Sequence, residues 1–90
     1  MADNKQSDTN SIIDELSKVK LGDNLYDVGY GGIMLVRVVV IETYNSLGTG
    51  MRYTITAQSS SGLYEIYQND DFGRTVFFNY NDACKHMIRV

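Results

Sequence analysis

Apolar residues at positions 12, 13, 16 and 19 recur at the spacing that lays Ile12, Ile13, Leu16 and Val19 on one stripe of a short helix. Ser11 followed by Asp14 supplies a capping-box-like start. The serine oxygen accepts from an early backbone N–H, and the Asp stands in for the usual Glu. The glycine of "LGD" stops this helix by Leu21. Residues 1–9 are polar and gain little by packing, so they are expected to form a disordered tail ahead of a single domain over residues 10–90.

From Asn24 the period becomes that of a strand. "NLYDVGY" alternates Leu25 and Asp27 against Tyr26, Val28 and Tyr30, which sets both tyrosines on the inward face of Val28, although Tyr30 sits at the turn. Gly31-Gly32 predicts a hairpin, because both positions tolerate the positive φ that tight hairpins need. "IMLVRVVVIETY" is the most β-branched segment and is predicted as the longest, central strand. "NSLGTG" turns the chain into "MRYTITAQS", with Tyr53, Ile55 and Ala57 on one face and Arg52, Thr54 and Thr56 on the other. "SSG" turns it again into "LYEIYQ", where Tyr64 and Tyr67 take opposite faces, so at least one points outward. After "NDDFG", in which Gly73 marks a turn and Phe72 folds under it as a core plug, a last short strand is expected over residues 75–78.

Asn79 caps a final helix with Asp82 reaching back, and Ala83, Met87 and Tyr80 form its buried stripe. The expected fold class is α+β: a short N-terminal helix, about five antiparallel strands in a bent meander or partly open SH3-like barrel, and a short C-terminal helix. With no proline in the chain, every segment has the N–H groups a ladder needs.

Composition narrows the function classes. A chain of 90 residues, 43% hydrophobic, builds one modest core. "IMLVRVVVI" is broken by Arg37 and falls short of the roughly 20 apolar residues that span a bilayer, and the N-terminus carries no signal-like apolar run, so a cytoplasmic, non-membrane protein is expected. Cys84, alone, forms no internal disulfide. The net charge of -3 disfavours nucleic acid as a partner, because phosphate contacts need clustered cations. Here Lys18, Lys20, Arg37, Arg52, Arg74, Lys85 and Arg89 are scattered.

Candidate chemistry is sparse. Asp70 and Asp71 lack the alternating acids and terminal Glu of a calcium loop, and read as a solvated turn. Cys84 and His86 lie about 200° apart around a helix and do not face each other as nucleophile and base, nor do one Cys and one His complete a zinc site. The glycines of "VGYGGI" precede a strand, not the helix N-terminus that a phosphate loop requires. Asp23, Asp27, Glu42 and Glu65 show no paired acid–base spacing, so neither an enzyme nor a cofactor is expected.

Gly22, Asp23 and Tyr26 stand in the order G-D-x-x-Y. Phe72-Gly73-Arg74 and Thr75-Val76-Phe77 then lead to a cap and Asp82-Ala83 at the opening of a short helix. Over residues 21–88 the chain thereby resembles small uncharacterised proteins of phages and mobile elements, although Asn81-Asp82 and Ile88 replace the acidic Glu pair and terminal leucine usual in their final helix. The resemblance implies a compact barrel with a helical lid, carries no catalytic residue set, and points to a host protein as the partner.

Seven tyrosines without a tryptophan are a high dose of a side chain favoured at protein interfaces, although tyrosine is also a good strand former and about half should be packing residues. The expected function is a non-enzymatic protein-interaction, inhibitor or accessory domain, with Tyr30, Tyr44, Tyr64, Tyr67 and Arg52 as candidate binding residues. Self-association through an uncovered strand edge is a variant of it. The alternative is a small-ligand or nucleotide-binding protein whose tyrosines line a pocket and whose Arg37, Arg52 or Arg74 pairs an anionic group.

Overall fold

The computed structural model describes residues 12–48 and 50–88, so the expected tail and the Ser11 cap lie outside the described residues. In chain order come a helix α1 over residues 12–16, then β1 (Asn24–Asp27), β2 (Met34–Ser46), β3 (Gly50–Ser59) and β4 (Tyr64–Gln68). A one-turn 3-10 helix (Asn69–Asp71), β5 (Val76–Phe77) and a helix α2 (Tyr80–Ile88) complete it. The five antiparallel strands expected from the sequence form one open sheet of order β4-β3-β2-β1-β5. β4 and β5 occupy its opposite edges, and the longest strand, β2, is central.

Helix α1 ends at Leu16, one turn before Val19, the last residue of its apolar stripe. Its Leu16 is nevertheless fully buried, and Ile12 and Val19 pack beside it. The "GD" pair after it is a turn device: Gly22 adopts φ +92°, and the Asp23 carboxylate accepts the Lys20 backbone N–H at 2.8 Å. Gly22 and Asp23 also exchange backbone bonds with Val38, which zips this segment onto β2 before β1 begins.

β1 ends at Asp27, short of the tight hairpin expected at Gly31-Gly32. The Asp27 side chain accepts the Gly29 N–H at 2.6 Å in an Asx-type turn that competes with further ladder pairing, so the β1–β2 hairpin closes through a six-residue loop over 28–33 and not through a tight turn. This turn rotates Tyr30 out of the alternation: Tyr26 is half-buried beside Val28, whereas Tyr30 is exposed.

A register shift in β2 between Val38 and Val40 makes Val39 an extra residue opposite β3. Inward positions consequently run Val36, Val38 and Ile41, while Val40 turns outward. The inner face of the sheet carries the main core of Leu25, Val36, Val38, Ile55, Ala57, Tyr67 and Val76, closed by Leu16 and by Phe72. Burial of each large member contributes about 1.5–3 kcal/mol. Phe72 is the expected plug: its ring stacks on Phe78 at 4.9 Å and meets Tyr67 edge-on at 6.1 Å, beneath a turn in which Gly73 takes φ +87°.

Helix α2 covers only one end of the outer face, where Val28, Phe77 and Ala83 form a second cluster with Tyr26, Ile33 and Met87. Asn79 caps it as expected. Its Oδ1 accepts the Asp82 N–H at 2.9 Å, while the Asp82 carboxylate bonds the Asn79 side-chain amide instead of the backbone. Tyr80, expected in the buried stripe, is exposed and touches Tyr26 edge-on at 5.8 Å.

Candidate functional site

Beyond α2 the outer face of β2, β3 and β4 has no cover among the described residues. Leu35, Val40, Tyr44, Tyr64 and Ile66 stand there between 42% and 64% exposed. The ladder relates them only in part: Val40, Thr56 and Ile66 form one cross-strand row and Arg37, Gln58 and Tyr64 the next, while Tyr44 lies opposite Arg52, beyond Glu42, and Leu35 lies opposite Tyr26 of β1. Lone exposed apolar residues are ordinary, whereas several large ones on one face of a sheet set that face apart.

A polar groove lies at the opposite side of β4. Asp27, from the end of β1, is 3% exposed and accepts the Tyr67 hydroxyl at 2.5 Å. Tyr30 donates to the Glu65 carboxylate at 2.5 Å. Asp27, Tyr30, Glu65, Ile66, Tyr67 and Asp71 border an open groove of about 290 Å³. Burial, then the bond and the charge of Asp27, raise the pKa of Tyr67, and the bond to Glu65 raises that of Tyr30. These groups hold their phenolic protons more firmly than free tyrosine does, which favours hydrogen-bond donation over nucleophilic or basic chemistry. Among the described residues no group of three or more His, Cys, Asp or Glu is placed to hold a metal ion.

The Tyr67–Asp27 bond sets a testable pH dependence. Unfolded Tyr67 ionises near pH 10.0, whereas the folded group stays protonated above that, so its stabilising contribution is complete below pH 10.0 and is lost as pH rises toward the folded pKa. Tyr67→Phe is expected to cost about 1–3 kcal/mol at neutral pH, because buried Asp27 loses one of its two hydrogen-bond partners. Above pH 10 the gap between wild type and variant should close by about 1.4 kcal/mol per pH unit, read by urea denaturation from pH 8 to 11. A gap that stays constant would refute this account.

The five residues singled out from the sequence do not form one site. Tyr44 and Tyr64 belong to the outer face, Tyr30 and Tyr67 to the groove, and Tyr67 is buried. Arg52 lies 3.7 Å from Asp70 and borders a separate groove of about 450 Å³ with Ile12, Ile13, Phe72 and Arg74, which no tyrosine lines. Arg37 is exposed on the outer face, away from both. Of the seven tyrosines, Tyr26, Tyr53 and Tyr67 pack into clusters, and Tyr30, Tyr44, Tyr64 and Tyr80 are exposed. On α2, Cys84 is half-buried and its thiol, beside Tyr80, raises the Tyr80 pKa, while exposed His86 lays its ring 5.2 Å from Phe77.

Leu35, Val40 and Ile66 are the surface residues that sequence patterning missed. The extra residue at Val39 was the hidden cause for Val40, and no composition signal marks a bulge. Asp27 and Glu65 were visible only as unpaired acids.

Comparison with protein-family models, with curated proteins and with solved structures finds no match to this chain.

Proposed function

We propose that this protein is a non-enzymatic interaction module whose outer sheet face, centred on Val40, Tyr44, Tyr64 and Ile66, binds a partner protein, and that the partner is a host protein, as the phage-type resemblance implies. The observation that carries the reading is the contrast within one face. α2 seals its β1–β5 end with a packed cluster, while the β2–β4 end presents large apolar side chains to solvent. Tyrosine suits such a surface, since its ring supplies contact area at little entropic cost and its hydroxyl tolerates water.

The test is affinity capture with wild type and with a Val40→Thr, Tyr44→Ala, Tyr64→Ala variant. All three side chains are exposed, so the fold is expected to persist. A stoichiometric partner held by wild type should be lost by the variant, with affinity down about 100-fold or more if two of the three are hot spots. Retention of the partner at wild-type affinity would sink the proposal.

A second reading, binding of a small anionic ligand, rests on the groove that Arg52 and Arg74 border with Ile12, Ile13 and Phe72. A thermal-shift screen of nucleotides and carboxylates separates the two readings, because a ligand that binds only the native state raises Tm. A rise that disappears in an Arg74→Ala variant would favour it.

A further inference from the structure

The β4 edge of the sheet has a hydrogen-bonding phase that can be worked out residue by residue. Ser59 donates its N–H to the Leu63 carbonyl at 2.9 Å, which makes this pair a hydrogen-bonded rung. Rungs alternate in an antiparallel ladder, so Glu65 with Ala57 and Tyr67 with Ile55 are the next bonded pairs. Tyr64, Ile66 and Gln68 therefore turn their N–H and C=O groups away from β3. The Gln68 N–H confirms the phase, because it is taken by the Asp71 carboxylate at 2.8 Å, beyond the edge. Among the described residues, nothing pairs with the N–H and C=O of Tyr64 and of Ile66.

Natural edges are guarded by proline, bulges, lysine or inward charge. β4 reads "YEIYQ", with no proline, no lysine and no bulge, and its outer-face side chains Tyr64, Ile66 and Gln68 are uncharged. The single charge is Glu65, which faces the acidic groove with Asp27 and Asp71. That charge selects the occupant. A second copy paired about Glu65 would set Glu65 against Glu65 in a close non-bonded pair, which is repulsive. A second copy paired about Ile66 would need the Gln68 N–H that Asp71 already holds.

We infer that β4 is a β-augmentation site for an extended, basic segment of a partner protein, paired antiparallel with a Lys or Arg opposite Glu65 and apolar residues opposite Tyr64 and Ile66. Each of the two open residues exchanges two backbone bonds with the incoming strand. The cation meets Glu65 and the rim of the groove, and Tyr30, through its bond to Glu65, orients the carboxylate it meets. The incoming apolar side chains extend the outer-face row of Val40, Thr56 and Ile66 by one strand. The inference deepens the interaction reading by naming the chemistry of the partner, and it is tested without that partner.

The probe is the peptide Ser-Thr-Val-Lys-Val-Thr-Ser, titrated into the isotope-labelled full chain and followed by amide chemical shifts, beside the same peptide with Glu in place of Lys. Shifts are expected at Tyr64, Glu65 and Ile66, with the Lys peptide about fivefold tighter than the Glu peptide, an order set by the opposite-charge and like-charge cross-strand pairs. Glu65→Lys should invert that preference. Ile66→Pro removes an edge-facing N–H that bonds no rung of β3, and should abolish binding of both peptides. N-methylation of the peptide's valines should do the same without touching the protein. Absence of shifts up to millimolar peptide, equal affinities of the two peptides, or full binding of the N-methylated peptide would overturn the inference. So would sedimentation showing a homodimer that Ile66→Pro dissociates, since the edge would then belong to a second copy. A captured partner that the outer-face variant loses but that ignores Ile66→Pro would overturn edge pairing while leaving the interaction reading intact.

Discussion

Phe72→Ala is expected to produce the largest loss of stability of any substitution outside the strands, about 3–5 kcal/mol. The side chain is 2% exposed, stacks on Phe78 and abuts Tyr67, so truncation both returns apolar surface to water and leaves a void that its neighbours fill only in part. The site resists collapse because Phe72 sits between two short, heavily constrained pieces. The 3-10 turn before it is tied to Asp71, and the Gly73 N–H after it bonds the Val76 carbonyl at 2.8 Å. For a domain of this size the loss corresponds to a drop in Tm of about 15 °C or more. Thermal denaturation followed by near-ultraviolet circular dichroism measures it. Phe72→Leu, which keeps most of the volume, should recover at least half of the loss. A Phe72→Ala protein melting within about 5 °C of wild type would overturn the plug assignment, because that loss is smaller than burial of the ring alone contributes.

Asn69→Ala is expected to rank second, at about 2 kcal/mol, for a different reason. β4 stops at Gln68, yet β3 still has a rung to fill. The Asn69 side chain fills it: Oδ1 accepts the Tyr53 N–H at 2.7 Å and Nδ2 donates to the Met51 carbonyl at 3.1 Å. A side-chain amide here imitates the next residue of a strand while its own backbone turns away into the 3-10 helix. Removing it leaves a donor and an acceptor on β3 without partners, next to the half-buried Tyr53. Asn69→Asp should not rescue, because a carboxylate oxygen would face the Met51 carbonyl. Hydrogen exchange gives the specific readout: the Tyr53 amide should exchange far faster in the variant, while the Ile55 amide, held by the β4 ladder, follows global stability alone. Unchanged Tyr53 protection would overturn this assignment.

The alternation of "MRYTITAQS" read correctly because β3 pairs on both sides without a bulge, so period two survives from Tyr53 to Ala57. In β2 the sequence offers no such reading: the extra residue at Val39 reverses the parity, and a uniform run of β-branched residues contains no mark of where the reversal falls. Tyr30 failed for a local reason, since a buried aspartate two residues before a glycine captured the chain in a turn ahead of the expected hairpin. The Phe72 plug and the Asn79 cap were legible because each depends on neighbours within a few residues.

The candidate surfaces were legible only in part. Tyrosine content pointed to Tyr44 and Tyr64, but Leu35, Val40 and Ile66 join them only through the registers of three strands. The Asp27–Tyr67 and Tyr30–Glu65 bonds link residues 40 and 35 positions apart. By itself the sequence determined the order of the elements, the turns at Gly22, Gly48, Gly62 and Gly73 and the Asn79 cap, because these follow from local backbone preference and short-range hydrogen bonds. Only the tertiary structure decided which face α2 leaves open, that β5 returns to β1 and thereby leaves β4 as an edge of the sheet among the described residues, and which acids line that edge. Those features arise from contacts between residues far apart in the chain, whose pairing no local pattern encodes.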